Sequence, residues 1–139
     1  MIENMYEVKR VTEIDFDLDT DIADFEISTL KKFLENKKNI LILAILNSKV
    51  VGVLRAHILD RYDGKGGEMF LNEIDVTENH RQKGVATKLV SKMKDIAQDS
   101  NCFETWVVTN RSNIPAVEMY KKNGYSEENP DDVVMVQSL

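Results

Sequence analysis

Apolar residues follow two different periods along this chain, and the period predicts the type of each element. Weak alternation predicts a first strand from Tyr6 to Thr12. Apolar residues three and four positions apart predict a helix from Asp17 to Asn36. Short runs rich in branched residues then predict three strands, which span Ile40 to Leu46, Val50 to Leu59 and Glu68 to Val76. The tight turn between the first two of these predicts a β-hairpin.

The second half of the chain alternates between helical and strand-like patterns. Helical spacing of apolar residues predicts an amphipathic helix from Gly84 to about Asp99. Aromatic and β-branched residues predict a strand from Phe103 to Val108. A further helix is predicted from Ser112 to Asn123, because Gly124 is a typical helix stop. The apolar run from Val133 to Val136 predicts a last short strand.

The predicted order of elements is strand, helix, three strands, helix, strand, helix and strand. Antiparallel neighbours need only short turns, whereas the strand-helix-strand step from Glu68 to Val108 requires one parallel pair. The sequence therefore predicts a mixed α/β (α+β) fold in a single domain over residues 1–139. Its central sheet should be mixed, mostly antiparallel and flanked by helices, with about six to seven strands.

Composition and charge exclude several classes of function. The formal net charge of −6 argues against a nucleic-acid-binding surface. No apolar run is long enough to span a membrane, and the N-terminus lacks the pattern of a signal peptide. The single Cys102 excludes an intrachain disulfide, and with His57 and His80 it forms no metal-ligand pattern. These features predict a cytoplasmic protein without a metal, a nucleic-acid partner or a membrane partner.

Acidic residues crowd two segments of the chain. They are Asp15, Asp17, Asp19, Asp21 and Asp24 in the first, and Glu127, Glu128, Asp131 and Asp132 in the second. Either cluster could attract a cationic substrate. The alternative is a solvated loop or helix face, which is the commoner role of a charge run.

The strongest chemical signal is the segment Arg81-Gln82-Lys83-Gly84-Val85-Ala86, which follows a predicted strand and opens a predicted helix. The first turn of a helix offers unpaired N–H groups and the positive end of the helix dipole. Gly84 lets the backbone approach a ligand closely, while Arg81 and Lys83 add positive charge. The segment predicts a phosphate or pyrophosphate site, and the alternative is an ordinary helix start.

A second signal lies in the next predicted helix. Three- and four-residue spacing places four residues on one face of it: Asn113, Ala116, Val117 and Tyr120. A polar group, small residues and a phenol thus line one stripe. Taken alone, the stripe also fits the packing face of a core helix.

Together, and in this order of strands and helices, the two segments resemble the GNAT family of N-acetyltransferases. The family's phosphate loop, Arg/Gln-x-x-Gly-x-Gly/Ala, is matched by Arg81, Gly84 and Ala86. Its later segment, Asn-x-x-Ala-x-x-x-Tyr-x-x-x-Gly-Phe/Tyr, is matched by Asn113, Ala116, Tyr120, Gly124 and Tyr125. The strand from Asn72 to Val76 resembles the family's strand that carries the pantetheine arm. Locally, the chain is most similar to the aminoglycoside 3-N-acetyltransferase type.

The resemblance implies the GNAT fold and acetyl-CoA as cosubstrate. Main-chain N–H groups from Gln82 to Ala86, with the Arg81 side chain, are expected to hold the pyrophosphate. The backbone of Ile74 to Val76 is expected to pair with the pantetheine, and Asn113 to hydrogen-bond it. The implied acetyl-CoA-binding residues are Ile74, Asp75, Val76, Arg81, Gln82, Lys83, Gly84, Val85, Ala86, Thr87, Asn113, Ala116 and Tyr120.

For catalysis, the resemblance implies direct transfer of the acetyl group to an amine. Tyr120 is expected to protonate the departing thiolate, since a phenol with an ordinary pKa of about 10 keeps its proton at neutral pH. An N–H near Val76 is expected to polarise the thioester carbonyl. Glu73 is the first candidate for the base, with Asp75 or water as alternatives, and Glu73 could instead form an ion pair or orient the substrate.

The implied partners are acetyl-CoA and a primary amine, and the acidic clusters favour a small cation such as an aminoglycoside or a polyamine. Two other hypotheses stay open: acetylation of protein N-termini or lysines, and a CoA-binding sensor module without catalysis. The intact Tyr120 favours the enzyme over the sensor. The resemblance also allows a homodimer.

Overall fold

The computed structural model describes residues 5–14, 18–22 and 25–139. Six strands lie within these ranges: β1 (Glu7–Arg10), β2 (Asp19–Thr20), β3 (Asn39–Leu46), β4 (Lys49–Asp60), β5 (Gly67–Val76) and β6 (Cys102–Val107). The same ranges contain three α-helices, which are α1 (Ile27–Glu35), α2 (Val85–Asp99) and α3 (Ile114–Lys122). A short 3₁₀ turn at Glu78–His80 lies between β5 and α2.

The strands form one mixed sheet in the order β1-β3-β4-β5-β6, and neighbours on this path are antiparallel except for β5 and β6. The parallel pair β5–β6 is connected through α2, as the predicted strand-helix-strand unit requires. The short strand β2 adds a second parallel pairing, against Lys49 and Val50 at the start of β4. The predicted mixed, mostly antiparallel α/β fold is therefore confirmed.

Helices cover both faces of the sheet, and the core divides into two apolar clusters. Residues of α2 such as Val85, Leu89 and Met93 pack against one face, which we call the α2 face. Leu34 of α1 packs against the other, which we call the α1 face. Strand β3 contributes to both clusters, so its sequence is a continuous apolar run rather than an alternating one.

Gly52 on β4 lets α2 approach the sheet closely. A Cβ atom at this position would lie 3.1 Å from Cγ1 of Val85 and 3.2 Å from Cδ1 of Leu89 and Cβ of Ala44. Carbon atoms normally pack about 3.5–4.0 Å apart. The missing side chain therefore sets how near the first turns of α2 lie to the sheet.

Strands β5 and β6 separate part-way along their length. Their pairing ends at Leu71 and Val107, whereas β5 continues to its end with β4 alone as its neighbour in the described sheet. Where they separate, Arg55 of β4 pairs with Glu73 and the next residue of β4 pairs with Leu71, so Asn72 is the extra residue of a β-bulge. The result is a gap between the two parallel strands, with the last part of β5 as one wall.

The predicted helix from Asp17 to Asn36 is wrong over its first half. Within the described residues the chain forms β2 there, and α1 begins only at Ile27; Asp17, Ala23 and Asp24 of the prediction lie outside the described residues. The Thr20 hydroxyl donates to Val50 O at 3.2 Å and accepts from Ile22 N at 3.0 Å. Such side-chain hydrogen bonds compete with those of a helix, and here they tie the segment to β4.

The predicted strand from Val133 to Val136 is also wrong. These residues pair with no described strand, and they are exposed, from 67% for Val134 to 88% for Met135. A strand needs a neighbour for its N–H and C=O groups, and none lies beside this segment in the described chain. The remaining predicted helices and strands are present with slightly different ends.

No helix in the described part of the chain is long and apolar enough to cross a membrane. The described residues also contain no group of three or more His, Cys, Asp or Glu side chains that could hold a metal ion. The cytoplasmic location and the single-domain organisation stay predictions.

Candidate active site

The segment predicted to bind phosphate forms a loop with two residues in the left-handed conformation. Gln82 has a φ of 61° and Gly84 a φ of 81°, and α2 begins directly after Gly84. No side chain caps this end of α2, and a Cβ atom on Gly84 would meet no other atom within 4 Å. The loop therefore offers helix N–H groups and open space beside them, as phosphate binding at a helix start requires.

Arg81 ties this loop to the end of β5. Its Nε donates to Val76 O at 2.9 Å, and its Nη2 lies 3.8 Å from Asp75 Oδ1. Gln82 and Lys83 are exposed beside it. The contact of Arg81 with a pyrophosphate stays a prediction, and it would use the guanidinium nitrogens that do not bind Val76.

Asn113 precedes α3 and caps it. Its Oδ1 accepts a hydrogen bond from Ala116 N at 3.4 Å, which satisfies one of the first N–H groups of the helix. Pro115 stands in the same turn, where its missing N–H costs little. The contact of Asn113 with pantetheine stays a prediction, and it would fall to the amide nitrogen rather than to the capping oxygen.

Tyr120 lies on α3 with only 6% of its surface exposed. Its ring meets that of Tyr125 edge-on, with the ring centroids 5.4 Å apart. Burial, and in second place the charge of Tyr125, raises the pKa of Tyr120 above its ordinary value. A phenol with a raised pKa keeps its proton at neutral pH, and this is the state that a general acid needs before the reaction.

One apolar cluster brings both predicted segments and the end of β5 together. Its members on the α2 face include Ile74, Val76, Val85, Ala86, Ala116 and Tyr120. They come from β5, the start of α2 and α3, which are well separated in the sequence. Alternate residues of a strand face opposite sides, so Glu73 points away from this cluster.

Glu73 forms an ion pair on the α1 face. Its Oε2 lies 3.1 Å from Nη2 of Arg55, the residue directly opposite Glu73 in the antiparallel pair of β4 and β5. The ion pair that was one alternative for Glu73 is thus present, and the side chain is still 52% exposed. Its role as the base stays a prediction, as does that of Asp75 near Arg81.

A model of the acetyltransferase (GNAT) family matches residues 3–125 of this chain. The chain belongs to the GNAT family. The resemblance predicted from two short segments is therefore confirmed. Membership of a family of acetyltransferases also agrees with the predicted class of enzyme.

Three known proteins are similar to this chain in sequence or in structure. This chain is 27% identical over 99 residues to YhfO, an uncharacterized N-acetyltransferase of Bacillus subtilis (strain 168). The match covers 71% of this chain and 66% of that relative, just under two thirds of the relative's length.

Among solved structures, an aminoglycoside acetyltransferase from an uncultured soil metagenomic sample, meta-AAC0020 in complex with trehalose, has a TM-score of 0.84 at 19% identity. The match covers 100% of this chain and 99% of that one.

The same protein in complex with sisomicin has a TM-score of 0.84 at 18% identity, again over 100% of this chain and 99% of its own. The aminoglycoside N-acetyltransferase AAC(6')-Iy in complex with CoA has a TM-score of 0.70 at 21% identity over 81% of this chain and 84% of its own. At these identities, the solved structures show a shared fold.

The chain carries an aromatic pair on its α1 face that was not predicted from the sequence. Phe70 of β5 and Trp106 of β6 stack with their ring centroids 4.3 Å apart. His57 of β4 lies opposite Phe70 in the sheet and meets Phe33 of α1 edge-on. The aromatic pair therefore lies next to the gap between β5 and β6, on the same face as Glu73.

His57 is held between two asparagines. Its Nδ1 lies 3.0 Å from Oδ1 of Asn39, and its Nε2 lies 3.5 Å from Nδ2 of the bulged Asn72. Burial, and in second place the positive charge of Arg55, lowers the pKa of His57 below its ordinary value. The imidazole is therefore neutral at neutral pH, which suits its position beside a guanidinium.

The two acidic clusters of the sequence are partly neutralised within the chain. Asp21 lies 2.6 Å from Nζ of Lys49, and this hydrogen bond raises the pKa of Lys49. Glu127 lies 2.5 Å from Nη1 of Arg111. The remaining acidic residues of the first cluster, other than Asp19, lie outside the described residues: Asp15, Asp17 and Asp24.

Proposed function

We propose that this GNAT domain transfers an acetyl group from acetyl-CoA to a primary amine by direct attack in a ternary complex. The observation that carries the proposal is the apolar cluster that joins the phosphate loop, the end of β5 and Tyr120. An anion site, a strand edge for an extended ligand and a proton donor are the parts that CoA-dependent acyl transfer needs.

The residues present fit acetyl-CoA. The uncapped start of α2 and the open space beside Gly84 fit a pyrophosphate. The end of β5, over Ile74 to Val76, has no second strand beside it in the described sheet, so its main chain can pair with the amides of pantetheine.

In the proposed reaction, the amine nitrogen bonds to the thioester carbonyl carbon and the bond from that carbon to sulfur breaks. Tyr120 gives its phenolic proton to the departing thiolate, and Glu73 takes a proton from the amine, with Asp75 or water as alternatives. An N–H near Val76 donates to the carbonyl oxygen. Tyr120 lies on the α2 face and Glu73 on the α1 face, so cosubstrate and amine would meet in the gap from opposite sides.

For the acceptor, we propose a small polycationic amine of the aminoglycoside class. Relatives with the same fold are aminoglycoside acetyltransferases, and one of them binds sisomicin. In this chain, support comes from the half-exposed carboxylate of Glu73 and from the stacked Phe70 and Trp106 on the same face. A carboxylate and aromatic faces both attract cations.

A thiol-release assay with acetyl-CoA and a panel of amines tests this proposal. We expect turnover of aminoglycosides, including sisomicin, to exceed turnover of amino acids and peptides. If no amine is acetylated although calorimetry detects CoA binding, the chain is a CoA-binding module and the enzymatic proposal fails. If peptides are the preferred acceptors, acetyl transfer stands and the acceptor class is wrong.

A further inference from the structure

Two consecutive polar side chains of β5, those of Asn72 and Glu73, lie on the same face of the sheet. In a regular strand, neighbouring side chains point to opposite faces. The bulge breaks this alternation, because Asn72 is the extra residue between Leu71 and Glu73. Its side chain reaches His57 on the α1 face, where Glu73 pairs with Arg55. Asn72 and Glu73 are both exposed, so both are open to a ligand on that face.

Asn72 is also the first residue of β5 beyond its pairing with β6. Along β5, this pairing ends at Leu71. The stacked rings of Phe70 and Trp106 lie one step before that point. Asn72 therefore stands at the start of the gap between the strands, on the face from which the proposed amine would enter.

A chain of hydrogen bonds fixes which atom of the Asn72 amide faces His57. The chain begins at the main-chain carbonyl of Phe33, which can only accept. Asn39 Nδ2 donates to Phe33 O at 2.9 Å, so Asn39 Oδ1 is the atom that faces His57. This oxygen lies 3.0 Å from His57 Nδ1, and an amide oxygen carries no proton. The proton of this contact therefore belongs to Nδ1 of His57.

A proton on Nδ1 leaves Nε2 of His57 with a free lone pair. Burial, and in second place the charge of Arg55, lowers the pKa of His57, so the imidazole is neutral and Nε2 accepts rather than donates. Asn72 Nδ2 lies 3.5 Å from Nε2 and is the donor of this long hydrogen bond. The amide oxygen of Asn72 is consequently turned away from His57, and no group of the described residues donates to it.

We propose that Asn72 Oδ1 binds an ammonium group of the acceptor beside Glu73, and that His57 is the positioning residue that keeps this oxygen turned toward the acceptor. The inference rests on the proposed acetylation of a cationic amine. An ammonium group has three N–H donors and no acceptor, so it is bound best where several oxygens surround it. The carboxylate of Glu73 and the amide oxygen of Asn72 are two such acceptors on adjacent residues.

The same arrangement discriminates between classes of acceptor. With its amide oxygen outward, Asn72 offers only an acceptor, as Glu73 does. A carboxylate or phosphate of a ligand would face these oxygens without a proton between them, which disfavours its binding. The charge of Arg55 is already engaged by Glu73 at 3.1 Å. An amide turned over would instead present its nitrogen, so His57 decides whether the residue beside Glu73 accepts or donates.

Nitrogen NMR tests the orientation of His57 directly and without catalysis. Long-range proton–nitrogen spectra of the labelled full chain at neutral pH distinguish a protonated ring nitrogen from a bare one. The chain has only two histidines, so the variant His80→Gln leaves the ring signals of His57 alone. We expect a proton on Nδ1 and none on Nε2. A proton on Nε2 would turn the Asn72 amide over and would overturn the proposal.

Calorimetry with sisomicin, on the full chain saturated with CoA, tests the role of Asn72. Asn72→Leu removes the oxygen and should weaken sisomicin binding by about 10–100-fold, the loss expected for one hydrogen bond to a charged group. Asn72→Asp keeps an oxygen there and should bind at least as tightly as the wild type. The control Gln98→Leu removes an exposed amide from α2 and should leave the affinity unchanged. CoA affinity should be the same in all four chains.

The results distinguish this inference from the proposed function. If sisomicin binds Asn72→Leu as tightly as the wild type, or binds Asn72→Asp as weakly as Asn72→Leu, the role of Asn72 is wrong while the proposed function stands. If the wild-type chain with CoA binds no sisomicin, the proposed acceptor class fails and this inference fails with it. If Asn72→Leu also loses affinity for CoA, its fold is damaged, and Asn72→Ala takes its place with the same expected loss.

Discussion

The two faces of the sheet contribute to the candidate active site through different kinds of group. On the α2 face, the groups proposed to bind acetyl-CoA belong mainly to the main chain, at the start of α2 beside Gly84 and at the end of β5. On the α1 face they are side chains, above all Glu73 with Arg55 and the stack of Phe70 on Trp106. Main-chain sites follow from the fold, whereas side chains can change without altering it. We therefore expect CoA binding to depend on the fold, and the specificity for the amine to depend on a few side chains.

The largest expected effect comes from the proton donor on the α2 face. We expect Tyr120→Phe to lower kcat by roughly 10²–10⁴-fold, because the thiolate would leave without its proton. CoA affinity measured by calorimetry should stay close to that of the wild type. Tyr62→Phe is the matched control, since the Tyr62 side chain is fully exposed. A Tyr120→Phe rate equal to that of this control would remove Tyr120 from the mechanism.

On the α1 face, Glu73→Gln should lower kcat/KM by about 10²-fold, because the neutral amide cannot accept the amine proton. Asp75→Asn is the comparison variant and should cost less than about tenfold. Steady-state rates from pH 6 to 9 would separate loss of a base from a general loss of fold, and thermal melting would report the effect of leaving Arg55 unpaired. If Asp75→Asn is the more damaging change, the assignment of the base is reversed.

The proposed main-chain contacts with the phosphates of CoA can be tested at Gly84. Gly84→Val should weaken CoA binding by about 10–100-fold, which corresponds to the loss of one or two hydrogen bonds to charged phosphate. Gly64→Val is a close control, since Gly64 has a φ of 77° and equally open surroundings. Both variants should lose about 1–3 kcal/mol of stability through backbone strain. Only Gly84→Val should lose affinity, and equal affinities would contradict the phosphate loop.

The smallest expected effect concerns pH and the α1 face. Because the pKa of His57 is lower in the folded chain than in the unfolded one, the unfolded chain binds more protons as the pH falls. The free energy of unfolding should therefore decrease from pH 7 toward pH 5. His57→Gln should make this decrease shallower in urea unfolding experiments. An unchanged slope would mean that other groups carry the pH dependence.

The α2 face could be predicted from the sequence because its signals are local. The residues from Arg81 to Ala86 and from Asn113 to Tyr125 each identify a helix start or a helix face, and the family match agrees with them. Even here, the sequence could not show that Arg81 binds Val76 O or that Asn113 caps its own helix. Those contacts depend on how neighbouring segments pack.

The α1 face could not be predicted, because strand register creates it. Phe70 and Trp106 lie far apart in sequence and meet only because β5 and β6 are parallel neighbours. Phe70 and Glu73 share a face although they are three residues apart, since the bulge at Asn72 inserts one residue between them. No local sequence pattern predicts that bulge. The wrong prediction of a strand from Val133 to Val136 has a similar cause. Apolar composition identifies residues that favour a strand, but it does not show whether another strand lies beside them.

Gly52 has a consequence for the evolution of this domain. A methyl group there would press on Val85 and Leu89, at the beginning of the helix whose first turn is proposed to hold the pyrophosphate. Related chains with alanine at this position should therefore carry a smaller residue at one of the two helix positions. The three sites would then change together along a lineage, because a substitution in the sheet would otherwise displace the anion site.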